Sequence, residues 1–226
     1  MTQFGKVLIA NRGAIATRII RTLQAMDVPS VAVYAVCDSG SLHARIADES
    51  VCLNPEAPEQ NQPINTYMNI DRILKIACET GAVAVHPGYG FLSENAEFVD
   101  RCEEHGLIFI GPTSEHIAMF GLKHKARILA MECNIPLLPG SQLLPNLEQT
   151  KIEAKRIGYP VMLKSTAGGG GIGITICFDE IELEESFERV KSQVLNNFGN
   201  DGVFVEKFIQ HARHIEVQAF GDGRGQ

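Results

Sequence analysis

The chain has 226 residues, of which 45% are apolar, and 20 Lys and Arg stand against 27 Asp and Glu for a formal charge of -7. Such a length accommodates one large domain or two small ones of ordinary globular composition, and the acidic balance disfavours nucleic acid or an anionic membrane as partner while leaving room for a local basic pocket. No apolar run approaches the roughly 18 residues of a membrane-spanning helix, and the first six residues run almost directly into a strand, leaving no space for a signal peptide. Six cysteines, at 37, 52, 78, 102, 133 and 177, are scattered among apolar neighbours without CxxC spacing. They read as small core residues of a reducing, cytoplasmic setting rather than as a zinc or disulfide framework.

From the N-terminus, the compact apolar run 6–10 predicts a strand, Asn11-Arg12-Gly13 a turn, and residues 15–26 a helix with Ile15, Ile19, Ile20 and Leu23 on its buried face. Pro29 stops that helix and 31–36 is the next strand. Continuous rather than alternating apolar strands in a β-α-β unit imply a parallel sheet covered on both sides. The turn after the first strand holds a single glycine, which fits a tight structural turn better than a dinucleotide fingerprint. A further strand spans 48–53, then comes a Pro-, Asn- and Gln-rich loop over 54–63. Asn69 can cap a helix bearing Ile70, Ile73, Leu74 and Ala77 that ends near Gly81. The strand 82–85 runs into His86-Pro87-Gly88-Tyr89-Gly90-Phe91-Leu92-Ser93-Glu94-Asn95, turn formers and polar groups at the edge where α/β sheets place their sites. A wall of a site and a rigid corner both fit that loop, and His86 fits a hydrogen-bonded structural role. Helix 96–104, strand 107–110 and Gly111-Pro112 close the unit, which sets a boundary near 112, with Thr113 and Ser114 available to cap the next helix.

Beyond it, a helical pair breaks at Gly121, and its second part puts Lys123, His124, Lys125 and Arg127 beside Ile128, Leu129 and Met131. A solvated face fits this pattern; so does a phosphate-facing charge at Lys123. After a Pro-rich connector, 147–157 is a helix ending at Gly158, and the strand 160–164 carries Lys164. The glycine-rich stretch from Lys164 to Gly173 lies between two strand-length apolar runs, so it reads as the tip of a hairpin or flap. Consecutive residues without Cβ leave bare N–H groups that can approach an anion, and Lys164 can place an ammonium on it; the lysine precedes the glycines, which excludes a P-loop. Helix 180–198 carries a core stripe at Leu183, Phe187, Val190 and Val194. Strand 203–205 then leads to Glu206-Lys207-Phe208-Ile209, where a carboxylate and neighbouring backbone can meet the edge of a purine. Residues 211–218 alternate as a further strand with His214 and Glu216 on one side.

Seven blocks together resemble the biotin carboxylase component of biotin-dependent carboxylases, an ATP-grasp family: residues 9–13, 47–49, 86–95, 109–112, 155–160, 164–173 and 213–218, in family order over essentially the whole chain. The resemblance implies an α/β fold, with a Rossmann-like biotin carboxylase N-terminal domain over 1–112 and an incomplete ATP-grasp domain over 113–226. It implies that Lys123 and Lys164 contact ATP phosphates and that Gly168, Gly169, Gly170 and Gly171 close over them. Glu206 would meet adenine, Lys207 and Ile209 would lie near the hinge of the nucleotide pocket, His214 would reach ribose or phosphate, and Glu216 would support the same wall. The family uses ATP and bicarbonate to form carboxyphosphate and then carboxylates biotin on a carrier domain. Within it, the wording of 121–127 and 164–173 resembles the urea carboxylase branch, which makes allophanate; an acyl-CoA or pyruvate carboxylase component is the alternative. Two departures stand out. Ala14 replaces an expected Glu, and the Mg2+ carboxylates, the arginine region facing bicarbonate and biotin, and the carrier lysine are expected after Gln226. The resulting expectation is a front portion with little or no turnover by itself, joined by a biotin carrier or the remaining polypeptide, with oligomer formation open. An inactive nucleotide-binding or assembly module is the competing class.

Overall fold

A computed structural model of the chain describes residues 4–56, 63–121, 123–165, 173–198, 202–213, 215, 217 and 221. It falls into two compact units, Met1–Gly121 and Leu122–Gln226.

In the first unit, β1 (Val7–Ile9), β2 (Ser30–Tyr34), β3 (Glu49–Cys52), β4 (Ala84–His86) and β5 (Ile108–Phe109) form one parallel sheet in the order β3-β2-β1-β4-β5. Because alternate residues of a strand face opposite ways, Val7, Ile9, Ala32 and Ala84 pack on one side with Ala16, Ile19 and Ile20 of α1 (Gly13–Ala25). Leu8, Ala10, Val31, Val33 and Val85 pack on the other with Tyr67 of α3 (Pro63–Tyr67), Leu74 of α4 (Ile70–Glu79) and Phe98 of α5 (Ala96–Glu104), after the short α2 (Leu42–Ile46). Both faces are therefore covered, as continuous apolar strands require. A final helix, α6 (Ser114–Phe120), belongs to this unit.

Four helix starts are set by side-chain caps. Asn69, Asn95 and Thr113 each accept a hydrogen bond from the N–H three residues on, at 3.0, 2.8 and 3.2 Å, and Asn146 does the same at 2.9 Å in the second unit. Each satisfies one of the donors that a helix start leaves without an intrahelical partner.

The second unit has α7 (Lys123–Glu132), α8 (Leu147–Ile157) and α9 (Glu180–Phe198), with β6 (Val161–Ser165), β7 (Ile174–Cys177) and β8 (Val203–Lys207) in a three-stranded antiparallel sheet of order β7-β6-β8. Val161, Leu163, Cys177, Val203 and Val205 point to a core that includes Ala154, Leu183, Phe187 and Val190. Residues 139–144 run along β8 as an irregular extra edge: Lys207 N–H donates to Pro139 O at 2.8 Å, Ser141 N–H to Val205 O at 2.9 Å and Leu144 N–H to Val203 O at 2.8 Å.

Several expectations need correction. Cys102 and Cys177 are buried, but Cys37, Cys78 and Cys133 are exposed, so the cysteines are not uniformly core residues. The polar composition of 54–63 concealed α3, which begins at Pro63, a residue suited to a helix start because its missing N–H is not needed there. Glu206 and Lys207 lie within β8 rather than after it. The strand expected over 211–218 falls partly outside the described residues, and those described there are not in a strand.

Candidate functional site

On β6 the alternation that buries Val161 and Leu163 turns Met162 and Lys164 to the opposite face. Antiparallel pairing places Met162 opposite Glu206 and Lys164 opposite Phe204, so Lys164 and Glu206 share that face, one pair apart on the diagonal. The Lys164 ammonium donates to Glu206 Oε2, and the Arg127 guanidinium, from α7, donates through Nη1 to Oε1. Arg127 also gives Nη2 to the Leu138 carbonyl at 3.0 Å. All three side chains are mostly buried, at 17% exposure for Arg127, 13% for Glu206 and 23% for Lys164. Two cations on one carboxylate leave a formal charge of about +1 on a partly desolvated strand face, where attraction for an anion is screened less than at open surface.

Gly140 completes the cluster. It bridges to Glu206 across the sheet edge, and a Cβ there would lie 2.6 Å from Arg127 Nη2 and 3.2 Å from Glu206 Cγ. A side chain there would push the guanidinium away from its two partners.

The other predicted residues of this region divide clearly. Lys207 sits at the end of β8, but its ammonium is bound to the carbonyls of Gly158 and Tyr159 at 2.7 and 2.9 Å, bracing the turn between α8 and β6. Ile209 lies just past the strand and is half-exposed. Lys123 opens α7, and its side chain lies outside the described structure, as do Gly168, Gly169, Gly170, Gly171, His214 and Glu216. The hairpin expected to carry the glycines is formed, with Lys164 paired to Ile174 and Ser165 N–H donating to Gly173 O at 3.0 Å. Arg127 is the residue that the sequence alone leaves as one of several helix cations. Its distinguishing signal is local: Lys125 two residues earlier is exposed and Arg127 is not.

In the first unit, polar groups gather at the carboxyl ends of the parallel strands. Asn11, buried, donates its amide to the carbonyls of Pro87 at 2.7 Å and Tyr89 at 2.9 Å, tying the β1 end to the 86–95 loop. His86 Nδ1 accepts from Gly88 N–H at 3.1 Å, and burial lowers its pKa, so it is a neutral structural histidine. Arg12 forks onto Asp38, Nε to Oδ2 at 2.6 Å and Nη2 to Oδ1 at 2.5 Å, while the Tyr67 hydroxyl donates to Oδ2 at 2.8 Å and accepts from Ala35 N–H at 3.0 Å. The Arg12 hydrogen bonds hold the Asp38 carboxyl below the usual carboxylate range, and desolvation raises the Tyr67 hydroxyl. Beside this network is an open cavity of about 690 Å³, walled by Ile15, Met68, Tyr89 and Phe91 around Gly13 and Ala14. Asp38 and Tyr67 do not stand out in the sequence, because one lies in a turn and the other in a five-residue helix.

Residues 3–117 match the family model for the biotin carboxylase N-terminal domain, and residues 123–226 match that for the carbamoyl-phosphate synthase L chain ATP binding domain. The chain belongs to the biotin carboxylase family. This biotin carboxylase chain is 50% identical to a urea amidolyase of Lachancea kluyveri over 99% of its own length and 12% of that protein. It is 45% identical to a pyruvate carboxylase of Staphylococcus aureus over 100% of its length and 19% of the relative, and 47% identical to the chloroplastic biotin carboxylase 2 of Populus trichocarpa over 97% and 41%. It thus spans less than half of each of these relatives. Among solved structures, the biotin carboxylase domain dimer of Hydrogenobacter thermophilus 2-oxoglutarate carboxylase, in complex with MgADP, ADP and bicarbonate, matches with a TM-score of 0.84 and 41% identity over 93% of this chain and 45% of that one. A Campylobacter jejuni biotin carboxylase in a β-γ-ATP complex matches at 0.82 and 38% over 91% and 45%. The expected α/β architecture of the ATP-grasp family accordingly stands.

Proposed function

We propose that this chain forms the nucleotide-binding front of a biotin carboxylase that uses ATP and bicarbonate to carboxylate biotin presented by a carrier domain. The observation that carries the reading is Lys164, aimed from a strand and restrained by Glu206 at the root of the glycine-rich connection. A cation held by its neighbours is already oriented when a phosphate arrives and loses less freedom on binding. In this reading Lys123 and Lys164 bind the ATP phosphates under Gly168, Gly169, Gly170 and Gly171, while Glu206, Lys207 and Ile209 border the purine and His214 and Glu216 line the same pocket. For Lys207 the contribution is positional, since its ammonium is committed to the 158–159 carbonyls. Among the described residues no group of three or more His, Cys, Asp or Glu is placed to hold a metal ion.

The preferred acceptor is urea. The wording of 121–127 and 164–173 supports that branch over acyl-CoA or pyruvate carboxylases.

Titrating the chain with ATP by calorimetry tests the reading. Saturable binding is expected, weakened about tenfold or more by Lys164→Ala, the loss of a charge-assisted contact. Equal affinities for the two proteins would remove Lys164 from the site. Supplying the assembled carboxylase with urea, pyruvate or an acyl-CoA in turn then tests the acceptor, with allophanate expected from urea.

A further inference from the structure

We infer that Arg127 is a positioning residue of the nucleotide site, fixing Glu206 and through it the ammonium of Lys164. The inference rests on the nucleotide reading above and adds a residue that the sequence motifs do not assign.

The geometry separates Arg127 from an ordinary surface cation. Its guanidinium is anchored at two points, Nη1 on Glu206 Oε1 and Nη2 on the Leu138 carbonyl, and it passes close over Gly140, where an added Cβ would lie 2.6 Å from Nη2. Gly140 belongs to the stretch that pairs along β8 and Leu138 directly precedes that stretch, so the guanidinium is held beside the same sheet edge that carries Glu206. A planar fork bonded on both sides fixes orientation in a way that a single ammonium cannot.

Glu206 thereby has one oxygen committed to Arg127 and the other directed at Lys164. Without Arg127, the carboxylate would have a free rotor and a single cationic partner, and the Glu206–Lys164 pair would be formally neutral. With Arg127, the cluster keeps about one positive charge, and Lys164 stays at the β6 end where the glycine-rich stretch begins. Substituting Arg127 thus removes what holds Glu206, and through it Lys164, in place.

A double-mutant cycle on ATP affinity tests this in the 226-residue chain, with calorimetry on the parent, Arg127→Gln, Lys164→Gln and the double variant. Arg127→Gln is expected to raise the ATP dissociation constant about tenfold, with Arg127→Lys recovering part of the loss. In the Lys164→Gln background the same Arg127→Gln change is expected to cost less than about twofold, because the residue acts through Lys164. Arg127→Lys, which keeps the charge, serves as the folded control if Arg127→Gln lowers the unfolding midpoint. An unchanged affinity in Arg127→Gln, or an equal loss in both backgrounds, overturns the inference while leaving the nucleotide site intact. A parent chain that binds no ATP overturns the nucleotide reading and the inference with it.

Discussion

Two glycines in one loop show how differently the same residue type can be constrained. Gly88 and Gly90 both have left-handed backbones, at φ +67° and +66°, which an L side chain tolerates poorly. At Gly90 an added Cβ meets nothing within 4 Å, whereas at Gly88 it would lie 2.7 Å from the Asn11 amide nitrogen. That amide is buried and spends its hydrogens on Pro87 and Tyr89. Gly90→Ala should therefore cost only the backbone strain, about 1–2 kcal/mol. Gly88→Ala should cost more, since displacing Asn11 leaves the buried Pro87 carbonyl unpaired at a further 1–3 kcal/mol or so. Urea unfolding of the two variants checks the order; equal losses would mean that the Asn11 contact has slack. The Arg12–Asp38 fork is the other test at this scale. Asp38→Ala strips the guanidinium and the Tyr67 hydroxyl of their shared acceptor and should destabilise by about 2 kcal/mol, tempered because the Arg12 side chain is 41% exposed.

At the scale of elements, periodicity made the long helices and the parallel strands readable, and the reason is burial. The stripe Leu183, Phe187 and Val190 on α9 spells out its core face because nothing else could place three large apolar residues at that spacing. Phe187→Ala should accordingly cost about 3–5 kcal/mol, while Ile176→Ala on the outer side of β7, 37% exposed, should cost less than about 1 kcal/mol; thermal melts of both variants would show it. The helices α2 and α3 were not legible, because five residues carry too little periodicity and too little propensity to register, and such turns exist through tertiary contacts such as the burial of Tyr67. Much the same holds for the site. Lys164 stood out because a strand run delivers it to a glycine stretch. Arg127 did not, because its partner lies 79 positions away and a helical wheel shows faces, not partners.

For the whole chain, acid is the condition under which these local arrangements act together. Four buried or hydrogen-bonded groups of the first unit have lowered pKa values: Asp38 through its bonds to Arg12, Asp48 through its bonds to Ser30, and His43 and His86 through desolvation. Neither ring nitrogen of the fully buried His43 meets a partner within hydrogen-bond geometry, and the weak pull of the Val33 backbone does not offset desolvation. Since the folded value lies below the unfolded one in every case, the unfolded state binds protons first and all four shifts have the same sign. The two histidines contribute stability that is present above their ordinary 6.5 and is lost as pH falls toward their folded values. The two aspartates contribute stability that is present above 3.8 and is lost as pH falls through their lower folded values. The β1–β5 sheet should therefore loosen first on acidification from about pH 7, and hydrogen exchange should show its amides losing protection ahead of those in β6–β8. His43→Leu removes one of the two groups acting in the upper window, so its unfolding free energy should fall less steeply between about pH 7 and 5 than that of the parent. Parallel pH profiles for the two proteins would mean that the folded and unfolded chains take up the same proton at position 43 over that range, so that burial does not hold the folded ring below its ordinary value.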